Sequence, residues 1–457
     1  MSPLAPSLES VSTIRSDGSR RFIHPATAKG RFTRWRAMVG ALILVVYAVL
    51  PWIPINGQPA VLLDVVNRRF HVLGLTFAPQ DVWLTFFLIT GVGFSLFVIT
   101  ALLGRVWCGW ACPQTVFLDI VRRIDGFFEG DGPARAAREG RKLTGPESLR
   151  RMMKHVVTAL FALAIAHVFL SYFVRLPELW TMMHTSPLDH WGSFLMVFGI
   201  AAALWFDFAW FREQFCIVLC PYGRLQSALV DSDTLVIGYD QKRGEPRGKK
   251  GTEGAGACVD CRKCVQVCPT GIDIRQGLQF ECIGCAACVD ACDDIMTKLH
   301  RPRGLVRYDS QAGLAGKKRK VLRPRIFLYL VLLAFGITAA SISVSRYRPA
   351  TVSVIRMVGS PYLVEAGTVR NQFTLRVINK LHTPVHYRVE ILGGPPSLRI
   401  LGIDGGVTLP AYAEQTEPLV LMLPREAAHG EMPLKLRLVD DAGNLVLESA
   451  FPFLGPG

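Results

Sequence analysis

Cys258-Val259-Asp260-Cys261-Arg262-Lys263-Cys264-Val265-Gln266-Val267-Cys268-Pro269 is followed by a second run of the same spacing, Cys282-Ile283-Gly284-Cys285-Ala286-Ala287-Cys288-Val289-Asp290-Ala291-Cys292-Asp293. Both read C-x2-C-x2-C-x3-C. Two-residue gaps let three thiolates wrap three corners of a cubane, and the fourth ligand must arrive from elsewhere. This is the ligand run of two-cluster ferredoxins, in which the fourth cysteine serves the other cluster. Crossed ligation assigns Cys258, Cys261, Cys264 and Cys292 to one [4Fe–4S] cluster. Cys282, Cys285, Cys288 and Cys268 then hold the second. Structural zinc also uses C-x2-C pairs, but rarely three cysteines at consecutive two-residue gaps with x3-C-P after them. The module, about 255–300, lies between a Gly/Lys-rich stretch (Gly244 to Gly256) and a basic one (Lys317 to Arg325), which predicts a tethered insert. Clusters carry single electrons; they do not by themselves define a reaction.

Outward from this module the chain turns apolar. Of its 457 residues half are apolar and only 19% are charged, against about 25% in an ordinary soluble protein. The apolar residues come in blocks: Ala37 to Ile55, Val82 to Gly104, Val156 to Val174, Trp191 to Phe211 (interrupted by Asp207) and Ile326 to Ser345. A bilayer core is crossed by roughly 20 apolar residues in a helix, so these predict five spans. Basic residues set the orientation. The tail 1–36 holds seven Lys/Arg, segment 105–155 ten and segment 212–325 twenty, whereas loops 56–81 and 175–190 hold two and one. The excess marks the cytoplasmic side. The net charge of +15 is therefore a topological bias facing anionic lipid. No nucleic-acid partner is needed to account for it.

All twelve cysteines fall in the two long basic loops, where a reducing compartment favours metal or redox use over disulfides. Four stand outside the ferredoxin runs. Trp107-Cys108-Gly109-Trp110-Ala111-Cys112-Pro113 follows the second span, and Phe215-Cys216-Ile217-Val218-Leu219-Cys220-Pro221 follows the fourth. Spans one and two, and three and four, read as two copies of one unit related by an axis along the membrane normal. Such symmetry would gather four thiols at one membrane face, each C-x3-C offering a two-thiol clip on a helix. Soft ligands of this kind suit Cu(I), zinc or iron–sulfur.

Cys108-Gly109-Trp110-Ala111-Cys112-Pro113-Gln114-Thr115, Cys220-Pro221-Tyr222-Gly223-Arg224 and the eight-cysteine run together resemble the CcoG/FixG/RdxA family of accessory proteins for cbb-type cytochrome c oxidase. The membrane subunits NapH and NosR are similar more distantly. The resemblance implies a bacterial inner-membrane protein with a cytoplasmic N-terminus and a periplasmic immunoglobulin-like domain. It also implies cupric reduction, Cu(II) to Cu(I), with copper handled near Cys108, Cys112, Cys216 and Cys220. The partners so implied are copper-delivery proteins and the oxidase assembly machinery. Quinol oxidation of the NapH/NosR kind and a non-catalytic redox-sensing scaffold are the alternatives. The chain carries no nucleotide or flavin signature, so its electron donor is an unidentified partner, and a homo-oligomer is compatible with the sequence.

The fold expected is a polytopic α-helical membrane protein. A tail (1–36) with its first 30 residues disordered precedes a four-span domain (37–211). A cytoplasmic loop with the ferredoxin module (212–325), a fifth span (326–345) and an all-β immunoglobulin-like domain (346–457) follow. Seven short strands are expected there: 351–358, 372–377, 385–392, 398–403, 417–423, 434–439 and 445–451. Weaker candidates are Met182, Met183 and His184 with His190 in the outer loop as copper ligands, set against an interfacial loop anchored by Trp180 and Trp191. Met152, Met153 and His155 form a similar inner group. His167 lies mid-span, and Asp207, near a span end, is expected to reach toward water.

Overall fold

The computed structural model describes residues 22–78, 81–249, 252–345, 348–403 and 406–456. The chain divides into two compact units, one of residues 1–51 with 87–337 and one of 52–86 with 338–457.

In the first unit the apolar blocks become long helices. Arg31–Trp52, Gly145–Leu170, Trp191–Phe211 and Pro324–Ser345 are each long and apolar enough to cross a bilayer. Ile89–Leu103 and Val106–Glu129 form a bent pair, turned by 97°, that counts as a fifth if taken as one span. The bend follows Gly104, which takes the left-handed φ of +59°. After it the helix Pro113–Glu129 runs with buried Val116, Leu118 and Val121 on one face. Leu118 and Val121 pack with Ala162, Ile165 and Phe208.

The ferredoxin module is closed at both ends by one antiparallel pair, Val236–Tyr239 with Val306–Asp309, in the register Val236↔Asp309 to Tyr239↔Val306. Its core is Ile237, Tyr239, Ile272, Ile274, Val289, Met296, Leu305 and Val306, with Phe32 of the first long helix packed against it. The module is thus docked and not tethered. Residues 22–30 are also placed, which corrects the expected disorder for that part; residues 1–21 lie outside the described residues. Ala26 N–H donates to the Gln266 carbonyl (2.8 Å), and Thr27 bonds to Asp131 through N–H (2.9 Å) and hydroxyl (2.8 Å). The Asp290 carboxylate then accepts from Phe32 N–H (3.1 Å), Thr33 N–H (2.7 Å) and the Thr33 hydroxyl (2.7 Å). It satisfies first-turn donors that an α-helix leaves orphaned, with a negative charge at the favourable end of the helix dipole.

In the C-terminal stretch of the second unit all seven expected strands form, with two short additions at Leu363–Glu365 and Val407–Leu409. One sheet carries Arg399–Leu401, Glu414–Pro424, Thr368–Asn379 and Ala350–Arg356 in that order, and the other Val407–Leu409, Val385–Leu392, Glu431–Val439 and Leu445–Leu454. Alternate residues meet in a single core that includes Phe373, Leu375, Leu421, Leu436 and Phe453. This is sandwich packing. The short loop after the first span belongs to this unit: Lys380 Nζ pairs with Asp81 (2.5 Å) and Tyr412 O–H donates to the Asn56 carbonyl (2.8 Å). A unit built from both stretches requires them on one side of a membrane.

Candidate redox site

The two cysteine runs repeat in conformation as well as in spacing. After the second cysteine of each run the chain takes a left-handed residue, Arg262 (φ 53°, ψ 15°) and Ala286 (φ 59°, ψ 14°). A helix starts directly after each, at Lys263 and at Ala287. Non-glycine residues adopt this region rarely, and here it folds three thiols of each run around a common centre. A small cavity is lined by Cys258, Cys261, Cys264 and Cys292, three from the first run and the last from the second. Burial raises Cys264 and Cys292 to about 12, with neighbouring thiols adding to the shift. The other four group likewise. Burial pushes Cys282 up to about 12 and Cys288 well above the thiol range, with Cys268 and Cys285 adding to both. Thiols pressed together in this way stay protonated unless a cation replaces the protons.

The four remaining cysteines also converge. Burial first, and then Cys112 and Cys220, raise the Cys108 thiol to about 11. Cys216 is driven above the thiol range by burial and by Cys112, Cys108 and Cys220. The motif geometry differs from a helical clip. Cys108 lies in the short helix Val106–Trp110, but Cys112 caps the next helix with extended backbone (φ −64°, ψ 126°), and Pro113 opens that helix. Cys220 does the same (φ −66°, ψ 112°) before Pro221. The trailing proline is thus the first residue of a helix, where its missing N–H costs nothing. Cys216 sits in a π-helical turn, Phe215–Leu219, which follows another at Asp207–Phe211. Among the described residues no three His, Cys, Asp or Glu side chains come close enough to share a single metal ion.

Residues that the spacing did not single out join the two sets. Gly109 lies against the second ferredoxin run: a Cβ there would be 2.6 Å from the Ile283 carbonyl oxygen and 2.8 Å from Cys285 N and Cα. Gly284, at φ +69°, meets the Arg105 carbonyl from the other side. Trp110 Nε1–H donates to the Tyr308 hydroxyl (3.0 Å), which donates in turn to the Gly284 carbonyl. Arg36 reaches the Cys285 carbonyl (3.3 Å) and pairs with Asp119. The Cys108 thiol donates to Oε1 of the fully buried Gln226 (3.2 Å). The sequence offered one cue to Gln226, its place on the helix opened by Pro221.

The structure places the weaker candidates as follows. His167 Nδ1 bonds to the Leu163 carbonyl of its own helix (2.9 Å), and His184 Nδ1 to Trp180 (2.8 Å), on whose ring it also packs. Met182 and Met183 share that helix, Leu176–His184, and His190 caps the span that follows. Asp207 is buried, contrary to expectation, and accepts from Gln114 Nε2 (2.7 Å), because the π-helical turn carries it inward.

Residues 211–311 match the family model for a 4Fe-4S dicluster domain, 83–130 that for a 4Fe-4S binding domain, and 341–456 that for the immunoglobulin-like fold at the C-terminus of FixG. Protein RdxA of Cereibacter sphaeroides is 34% identical over 92% of this chain and 94% of its own. The chain belongs to the FixG/RdxA family. The nitrogen fixation protein FixG of Rhizobium meliloti is 33% identical over 90% of this chain and 88% of its own. YccM of Escherichia coli, named for electron transport, is 26% identical over 55% of this chain and 64% of its own. As a FixG/RdxA member the chain is an iron–sulfur protein of the electron-transfer class, and its apolar helices make it a membrane protein.

Proposed function

We propose that this protein is a cupric reductase that performs its chemistry at the face formed by Cys108, Cys112, Cys216 and Cys220, and that it supplies Cu(I) for assembly of a cbb-type oxidase. The proposal includes crossed ligation, with Cys258, Cys261, Cys264 and Cys292 for one [4Fe–4S] cluster and Cys282, Cys285, Cys288 and Cys268 for the other. Such a cluster, when bound, gives up or accepts one electron at a time. The proposed reaction needs one: Cu(II) gains an electron and leaves as Cu(I), the form that soft thiol ligands prefer.

The observation that carries this reading is the backbone contact of Gly109 with Ile283 and Cys285. It sets the first C-x3-C pair directly on a ferredoxin cysteine loop, with no side chain between. The chain's own residues do the rest. Cys108 and its neighbours offer soft donors, Gln226 orients the Cys108 thiol, and Trp110 and Tyr308 fix the loop. In this reading copper is the substrate, received by these thiols and released after reduction. The alternative, quinol oxidation, would be carried by a pocket among the spans, where His167 Nδ1 bonds to the Leu163 carbonyl and leaves Nε2 for a ligand.

The test replaces Cys108, Cys112, Cys216 and Cys220 by serine in full-length protein whose cluster spectra are unchanged. Anaerobic, chemically reduced protein is mixed with Cu(II), and Cu(I) is read with a chromogenic chelator. Loss of most of the Cu(I) yield is expected. An undiminished yield removes these thiols from the mechanism.

A further inference from the structure

A second polar cavity lies apart from the thiols, where the helices Gly145–Leu170 and Trp191–Phe206 meet the helix Pro113–Glu129. It encloses about 1300 Å³, including its open mouth. Six cations line it, Arg135, Arg138, Arg141, Arg151, Lys154 and Arg212, with three carboxylates, Asp125, Glu129 and Glu139; Arg151 and Lys154 pair with Glu129, and Arg138 and Arg141 with Glu147 beside it, which leaves Arg135 and Arg212 to Asp125. The imbalance is sharpest at its buried end. Arg135 and Arg212, each 7% exposed, donate to the same Asp125 oxygen (2.8 and 2.9 Å), and Lys154 Nζ is 3.9 Å from the other. Lys154 has its closer partner in Glu129 (2.8 Å), so the shortage at this end is that two buried arginines share one carboxylate oxygen.

Among the described residues, donors are left over. Arg212 Nη2 makes no hydrogen bond, and its Nε has only Glu213, at 4.0 Å. Arg135 Nε, His24 Nδ1 and His155 Nδ1 are buried without a hydrogen-bond partner as well. Arg212 is held at φ +49°, between the two π-helical turns, a conformation that persists only when its surroundings enforce it. Buried positive charge in excess of its partners is costly unless an anion completes it. The mouth supplies a further clue. Trp205 and Trp210, near the end of their span, are 39% and 42% exposed beside it, and tryptophans at span ends mark the headgroup level of a bilayer.

We infer that this cavity binds the phosphodiester headgroup of an anionic phospholipid, with Arg212 and Arg135 on the phosphate and the acyl chains leaving past Trp205 and Trp210. Basic pockets between spans are suited to such headgroups. The shared chemistry is a phosphate oxyanion, which a lipid or free phosphate could supply; the aromatic mouth favours the lipid.

The experiment uses full-length protein in neutral detergent. Phosphatidylglycerol, phosphatidylcholine of the same acyl chains, and inorganic phosphate are added separately. Lipid retention is read by native mass spectrometry and the unfolding midpoint by a thermal scan. Retention of phosphatidylglycerol and a raised midpoint are expected, with phosphatidylcholine and phosphate doing neither. R212Q should abolish retention. Because Arg212 also braces the fold, R138Q/R151Q, at the exposed rim, is the second variant and should weaken retention roughly thirtyfold. K317Q/K318Q, outside the cavity, should not change it. Equal retention of both lipids, a midpoint shift by phosphate matching that of the lipid, or undiminished retention by R138Q/R151Q would each overturn the assignment.

Discussion

Gly109→Ala is the smallest change that tests the contact on which the redox reading rests. The added methyl carbon would start 2.6 Å from the Ile283 oxygen and 2.8 Å from Cys285 N and Cα. All three are main-chain atoms, so no side chain can rotate away. Non-bonded heavy atoms prefer about 3.5–4.0 Å, and relief therefore needs the two backbones to part by roughly 0.7 Å or more. Overpacking of this kind costs about 1–3 kcal/mol, a factor of roughly 5–150 in an equilibrium constant. Hydrogen exchange of the amides of 282–286 and 106–110 should accelerate by that factor, while the sandwich domain keeps its protection. The yield of Cu(I) should fall with the cluster spectra intact. Gly126→Ala is the matched control. It lies inside the helix Pro113–Glu129 with nothing within 4 Å of the new carbon, so it should gain about 0.5–1 kcal/mol. Equal exchange at 282–286 in G109A and unaltered protein would refute the close approach and the functional argument with it.

Two further outcomes probe how the N-terminal segment is held. D290A removes the acceptor of three hydrogen bonds at the start of the first long helix and should cost about 1–2 kcal/mol, read as faster exchange at Phe32 and Thr33. Acid should release residues 22–30 by another route. Burial works against the Asp131 charge, but bonds from Thr27 and the Gly132 N–H hold its carboxyl below the usual carboxylate range. A depressed folded value means that its contribution is complete above about pH 4, the unfolded value. It is lost as pH falls through the folded one. Proteolysis within 22–30 should rise over that acid window, and D131N should show the high rate at neutral pH.

What could be read in advance was whatever is encoded by local spacing. Eight cysteines at ferredoxin gaps, two C-x3-C-P motifs and strands separated by turn residues such as Asp441-Ala442-Gly443-Asn444 carry their meaning within a dozen residues. The docking of the module does not. It depends on single residues such as Gly109, Gln226 and Asp290, whose partners lie more than a hundred positions away and which leave no periodic trace. The same holds for residues 52–86, where strands of two to four residues fall below any pattern and join the C-terminal unit. Asp207 and Arg212 were misjudged or missed because a π-helical turn rotates side chains away from the 3.6-residue register on which such expectations depend.

Asp290 is 257 residues beyond Thr33, whose amide and hydroxyl it accepts. On a ribosome the first span is made long before its cap exists. During synthesis of everything between, that helix end must rely on water or on other groups for its donors. The cap arrives on the helix that begins directly after Ala286, within the second cysteine run. Formation of the two parts is thereby linked: until the helix after Ala286 folds, the start of the first long helix lacks these three bonds.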